Sequence, residues 1–201
     1  MEITKVVVGD LQVNCYIVSN GTDAVVIDPG DEYENIINGA QGKKIKAVLL
    51  THGHFDHTGA VNKFQKDGAE VYVSKNEEHM LSDGYSCLAE PFGFPFNKIQ
   101  ADHIFDDGDI LEIANMTFKV ILTPGHTTGS VCFLADDILF SGDTLFQGSV
   151  GRWDFPGGDF EVLTSSIKEK LYALPENTVV YAGHGGETTI GEEKMSNPFV
   201  R

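Results

Sequence analysis

The densest chemistry in the chain lies in Thr51-His52-Gly53-His54-Phe55-Asp56-His57, where three imidazoles and a carboxylate fall within six residues. The run follows Ala47-Val48-Leu49-Leu50, which is short and apolar and reads as a buried strand. Imidazole nitrogen and carboxylate oxygen together suit zinc, iron or manganese, so four such side chains at the mouth of a strand point to a cation site. His52 and His54 are two apart, and an extended backbone projects both to one side. Asp56 and His57 then fall in a turn before Gly59–Lys66, where Val61 and Phe64 have helical spacing. A chain that folds back there can aim one pair of ligands at one metal and the second pair at another. The alternative is a polar loop with chance histidines, which must gather so much of a total of seven histidines into one turn.

Three further stretches share this design, an apolar strand that stops at a ligand-type residue flanked by glycine. They are Leu122-Thr123-Pro124-Gly125-His126, Phe140-Ser141-Gly142-Asp143 and Tyr181-Ala182-Gly183-His184. Each glycine lets the backbone turn sharply beside the ligand. One Gly-His after a strand is weak evidence, but four such exits in one chain form a pattern. His79 and His103 lack this context and read as surface residues.

The elements that must carry these ends follow from periodicity. Strands are predicted at 3–8, 13–19, 24–27, the run into Leu50, 70–74, 104–105, 110–113, 117–122, 131–134, 138–140 and 179–181. Helical spacing is found at 33–40 and 59–66, in a brief helix capped by Asn76, and in an amphipathic helix over 160–171. Between Ser82 and Ala101, Tyr85, Phe92, Phe94 and Phe96 occur among Gly and Pro with no period. A loop of that length inside a compact domain is uncommon and often functional, and its aromatics either pin it to the core or face a substrate. With no repeat and no linker, residues 1–201 are expected to form one domain of two layers of mostly antiparallel strands covered by helices.

The whole chain narrows the partners. Its formal net charge of −16 opposes nucleic acid and anionic membranes, and no basic run offsets it. No apolar run reaches the length of a membrane span, and Met1-Glu2-Ile3-Thr4-Lys5 does not open a signal peptide. Cys15, Cys87 and Cys132 have no CxxC spacing and an odd count; the first and last lie in strand-like runs as small hydrophobes. A reducing, cytoplasmic setting is expected.

Taken together, the motifs resemble the metallo-β-lactamase-fold hydrolases, in particular the glyoxalase II-like, hydroxyacylglutathione hydrolase-related branch. The resemblance rests on Asp28-Pro29-Gly30, the Thr51–His57 run, Pro124–Gly129, Ser141–Phe146, Gly151-Arg152, Gly183–Gly185, Thr189–Lys194 and Asn197-Pro198-Phe199. It implies an α/β (α+β) chain folded as a four-layer αββα sandwich with a dinuclear site at one edge. It also implies that His52, His54 and His126 hold one divalent metal and that Asp56, His57 and His184 hold the other, with Asp143 bridging. Zinc is the leading metal, with iron or manganese as alternatives. Family members that bind glutathione add a C-terminal helical domain, which this chain is expected to lack, and carry Lys and Tyr where Arg152 and Asp154 stand. Arg152, Asp154 and Phe155 are the expected substrate-facing residues. The implied activity is hydrolysis of a small (hydroxy)acyl thioester by a metal-bridging hydroxide held with the help of Asp56 and Asp143. Gly151–Phe155 also resembles the mononuclear-iron persulfide dioxygenases of the same fold, in which His52, His126 and Asp143 would form the triad. β-Lactam hydrolysis fits less well, because an amide nitrogen leaves only with a proton and no extra acid is evident, and lactone hydrolysis is likewise a lesser alternative. A non-catalytic metal-binding module would have lost a ligand, and none is missing.

Overall fold

Val13–Asn20, Asp23–Ile27 and Lys44–Leu49 carry nearly continuous apolar runs rather than clean alternation, the pattern of strands covered on both faces. In the computed structural model, which describes residues 1–200, these are β2, β3 and β4. With β1 (Glu2–Val8), β5 (Glu70–Ser74) and β6 (His103–Phe105) they form a six-stranded sheet in the order β1-β2-β3-β4-β5-β6. β1, β2 and β3 pair antiparallel, whereas β3 through β6 pair parallel. Parallel neighbours need long crossovers. Here α1 (Tyr33–Gly39) lies between β3 and β4, and α2 (Phe55–Thr58) and α3 (Val61–Lys66) lie between β4 and β5. Ile36, Val61 and Phe64 of these helices share one apolar core with Cys15, Val26 and Val48 of the strands. This sheet belongs to a compact unit of Met1–Phe105 and Glu112–Met116.

The second unit takes Asp106–Leu111 and the chain from Thr117 onward. Its sheet has the order β14 (Thr188–Thr189), β13 (Val179–Ala182), β10 (Ile138–Gly142), β9 (Val131–Ala135), β8 (Met116–Leu122), β7 (Ile110–Ile113). β9 pairs antiparallel with β8 and β10, while β10 and β13 run parallel. A small hairpin, β11 (Leu145–Phe146) and β12 (Ser149–Val150), follows β10. α5 (Phe160–Ser166) is capped by the Asp159 carboxylate, which accepts the Val162 N–H at 3.0 Å. Leu163, Ile167 and Leu171 are buried in one core with Cys132, Leu139 and Val180. α6 (Ile190–Ser196) carries the buried Glu193, whose carboxylate accepts from the Gly148 N–H, the Thr188 hydroxyl at 2.7 Å and the Asn197 amide at 2.7 Å. Those bonds tie α6 to the β11–β12 hairpin and to β14.

Several expectations need correction. The strands are not mostly antiparallel in the first sheet, where three of five pairings are parallel; the unbroken apolar runs of β3 and β4 are the signal for this. The helix expected over 59–66 is α3, which begins at Val61 after the Ala60 N–H donates to the Pro29 carbonyl at 2.9 Å, and the turn expected at Asp56 and His57 is the helical turn α2. Asn76 caps nothing: the tight 3₁₀ turn Glu78–Ser82 has no side-chain cap. The 160–171 helix is α-helical to Ser166 and then widens into a π turn, Ile167–Leu171. The loop expected over 82–101 contains one helical turn, α4 (Ala89–Phe92), and the tail holds β14 and α6.

The buried stripe of α5 gives a stability test. Leu163→Ala removes a side chain that is 0% exposed and should cost about 2–5 kcal/mol in urea unfolding. Val162→Ala, one residue earlier and 41% exposed, should stay within about 0.5 kcal/mol of wild type.

Candidate metal centre

β4 delivers Thr51 and His52 to the end of the first sheet, next to the end of β3, where Asp28 stands. Asp28 is buried and has φ 51, a left-handed backbone that few residues other than glycine adopt. Its Oδ1 accepts the Thr51 N–H at 2.8 Å, and its Oδ2 accepts the Thr51 hydroxyl at 2.6 Å and lies 3.0 Å from His57 Nδ1. The Thr51 hydroxyl, having donated to Asp28, is the acceptor for His52 Nδ1 at 3.1 Å. His54 is the extended residue that starts α2, and its ring meets His52 edge-on with centroids 4.8 Å apart. Asp56 and His57 follow on α2, with Asp56 Oδ2 3.7 Å from His57 Nε2. The first unit thus gathers His52, His54, Asp56 and His57.

Two backbone contacts make this turn possible. A Cβ on Gly30 would lie 1.8 Å from the Asp56 carbonyl oxygen, and one on Gly59 would lie 2.2 Å from the Gly30 carbonyl oxygen. Between the two β4-end histidines, the Gly53 N–H donates to the fully buried Glu77 carboxylate at 2.9 Å.

The second unit gathers the other three. Gly125, at φ 129, turns the chain after β8 and presents His126. Gly142, at φ 49, ends β10 just before Asp143, and β13 delivers His184. The Gly183 N–H donates to the Gly142 carbonyl at 2.8 Å, so the two strand ends are held side by side. Asp143 Oδ2 then lies 3.7 Å from His126 Nε2 and 3.6 Å from His184 Nε2. His126 Nδ1 lies 2.6 Å from the Arg152 carbonyl, and a Cβ on Gly151 would lie 1.8 Å from the Asp143 carbonyl oxygen.

The donor set fits divalent metals. A carbonyl or carboxylate only accepts, so Nδ1 of His57 and of His126 must carry the proton, which leaves each Nε2 lone pair as the ligand. The same holds for His52 through Thr51. The Nε2-to-carboxylate spacings of 3.6–3.7 Å are too long for hydrogen bonds. Two donors about 2.1 Å from one cation, at ligand angles of about 110–120°, are about 3.4–3.6 Å apart. These pairs, at 3.6–3.7 Å, stand close to that spacing.

A family model described as the metallo-beta-lactamase superfamily matches residues 8–184. The chain belongs to this superfamily. It is 39% identical, over all of its length and 98% of the relative, to "hydroxyacylglutathione hydrolase GloC" of Haemophilus influenzae. A "probable metallo-hydrolase YqgX" of Bacillus subtilis is 38% identical over all of this chain and 98% of its own. Among solved structures, the BLEG-1 B3 metallo-beta-lactamase is 40% identical, with 99% of both chains covered and a TM-score of 0.95. TTHA1623 in a di-iron-bound form is 39% identical over 98% of this chain and 99% of that one, with a TM-score of 0.87. The two sheets with their helices are those of the metallo-β-lactamase fold.

Within this superfamily member, sequence reasoning quoted Asp28 as a motif residue without giving it a role, and it missed Thr51 and Glu77 as supports. A buried strand-end Asp paired in sequence register with the first histidine was the available signal for Asp28; Glu77 had none. The glycines were credited with sharp turns, which holds at Gly125 and Gly142, but at Gly30, Gly59 and Gly151 the requirement is close backbone approach. His79 and His103 are exposed, as expected, with His103 paired to Glu70 at 3.1 Å. Arg152 and Asp154 form a two-bond pair at 2.9 and 2.8 Å, both side chains 60% exposed, with the guanidinium 3.9 Å from the Phe155 ring centroid. The pair holds the Asp154 carboxyl below its usual range.

Asp28→Asn keeps the shape but loses an acceptor that orients His57 and Thr51. It should weaken zinc affinity by about 10–100-fold in a chelator competition while circular dichroism is unchanged. Gly151→Ala should weaken it as well, through Asp143.

Proposed function

We propose that the protein is a metal-dependent thioester hydrolase of the glyoxalase II-like type. The observation that carries this is the donor set, four ligand residues from one unit and three from the other, with three imidazoles fixed by their partners in the ligating tautomer. In this reading the two half-sites serve one dinuclear centre. His52, His54 and His126 would hold one cation, Asp56, His57 and His184 would hold the other, and Asp143 would serve both. Its place between His126 and His184 supports that role. The likeness to a protein named as a hydroxyacylglutathione hydrolase, and to one solved with two irons, favours the same chemistry and metal count. Zinc is the proposed resident, with iron or manganese as the competing metals.

Held there, two divalent cations would supply hydroxide near neutral pH and an electrophile for the carbonyl oxygen. The chain's own part is to hold them at fixed spacing and to orient the imidazoles with Nε2 towards them. It needs no further acid, because a thiol of pKa about 8.5 leaves as thiolate. We assign Arg152, Asp154 and Phe155 to the substrate cleft. A substrate carboxylate reaching Arg152 would have to displace Asp154, so anchoring there is weak. The three cysteines are buried free thiols, which fits the proposed cytoplasmic setting.

A second reading, β-lactam hydrolysis, is favoured by the 40% likeness to the BLEG-1 enzyme. One set of assays separates the possibilities. Protein purified without added metal should carry two metals per chain and cleave short hydroxyacyl thioesters. Asp143→Ala should lose metal and turnover by about 100-fold or more. Faster turnover of a chromogenic cephalosporin than of any thioester would favour the second reading. One iron per chain with rapid oxygen uptake on a glutathione persulfide would replace both. Arg152→Ala should change KM only for carboxylate-bearing thioesters, and by less than about tenfold.

A further inference from the structure

The first unit holds a cavity of about 170 Å³ whose floor is the Phe55–Gly59 turn, the same turn that carries Asp56 and His57. Its walls are Val8 and Leu11 from the β1–β2 turn and Phe94, Phe96 and Ile99 from the aromatic loop, with Phe55 beneath. The aromatic loop divides into two sets. Phe96 packs with Met80, Cys87 and Ala89 and pins the loop. Phe94 instead stacks on Phe55 at 4.6 Å, and Phe92 lies 6.1 Å from it. The Phe55 N–H donates to the Cys87 carbonyl at 2.9 Å, which fastens loop to turn and holds the cavity open in advance. Leu11, Phe92 and Phe94 form an apolar rim and are 48%, 51% and 36% exposed.

The cavity's charge is one-sided. Asp10, Asp31 and Asp56 border it, and among the described residues no Lys or Arg does. In a chain of net charge −16, an anionic group brought here would face Asp10 and Asp31 beside low-dielectric walls, Asp56 being assigned above to a cation. An apolar group would cover exposed phenylalanine and leucine and bring no like charge against those carboxylates. An apolar-lined cavity of about 150 Å³ accommodates benzene, so size is not an obstacle for a group of that order.

We infer that this cavity receives the acyl arm of the substrate and that this arm is uncharged and apolar, up to about the size of a benzene ring. The inference rests on the thioester hydrolase reading for the word acyl. Thiol carriers in metabolism end in carboxylates or phosphates, so the arm suited to an anion-repelling apolar cavity is the acyl one. It goes beyond that reading by excluding dicarboxylic acyl groups and selecting small aliphatic or aryl ones.

The test uses the metal-loaded enzyme and thioesters of one neutral thiol, N-acetylcysteamine, with acetyl, isovaleryl, phenylacetyl and succinyl groups. Isovaleryl or phenylacetyl should exceed succinyl in kcat/KM by about tenfold or more. Leu11→Arg, at an exposed rim position, should shrink that ratio by raising succinyl turnover. In parallel, benzyl methyl sulfide and its para-carboxylate are titrated while the methyl resonances of Val8, Leu11 and Ile99 are followed. The neutral probe should shift them and the anionic one should not. Turnover without preference, unmoved by Leu11→Arg, would overturn the inference and leave the hydrolase reading standing. If no thioester is cleaved, that reading falls, and the titration decides alone: equal shifts from both probes, or none, would overturn the apolar assignment of the cavity.

Discussion

Everything at the end of the first sheet hangs on one carboxylate. Asp28 gives three hydrogen-bond contacts from a left-handed backbone, to the Thr51 N–H, the Thr51 hydroxyl and His57 Nδ1. A non-glycine residue in that conformation costs of order 1 kcal/mol, and the surrounding bonds must over-determine it to keep it there. They do so by joining the end of β3 to the end of β4 and then to α2. The same carboxylate therefore orients His57 directly and His52 through the Thr51 hydroxyl. The glycines at 30 and 59 allow the two chain segments to lie close enough for this, since each approach leaves no room for a Cβ.

The second unit reaches a similar result with different means. There the orienting acceptor for His126 is the Arg152 carbonyl, a main-chain group that no side-chain substitution removes. Gly151 lets that segment approach Asp143, so the 151–155 stretch supports the site from its backbone while its side chains pair with each other at the surface. This explains why a conspicuous Arg-x-Asp pattern reads from sequence as a substrate grip, although its guanidinium is already engaged.

How far the sequence could be read depended on whether a role was carried by residue type or by tertiary placement. Seven ligand-type residues at strand exits were legible because few side chains bind metals and because a strand end followed by glycine is a local pattern. Most strands were legible from apolar periodicity, but the two-residue strands β11, β12 and β14 were not, being too short to show a period. The parallel pairing of β3 to β6 was not read, since alternation and continuous burial were not distinguished. Glu77 looked like one more surface acid in a chain with thirty Asp and Glu residues. Only folding shows it buried, accepting from Gly53. The split of the aromatic loop between Phe96 packed inward and Phe94 at a cavity rim likewise has no sequence signature, because both are phenylalanines flanking Pro95.

The parallel pairing of β10 with β13 has a temporal side. His52, His54, Asp56 and His57 lie within one short segment whose supports, Asp28 and Glu77, are near in sequence, so that cluster closes small loops. Asp143 and His184 are brought together only when β13 docks along β10, a pairing between segments some forty residues apart. During synthesis from the N-terminus, the segments that bond Asp28 to Thr51 and His57 are complete long before β13 can dock along β10, so the supports of the first cluster can form before Asp143 and His184 are brought together.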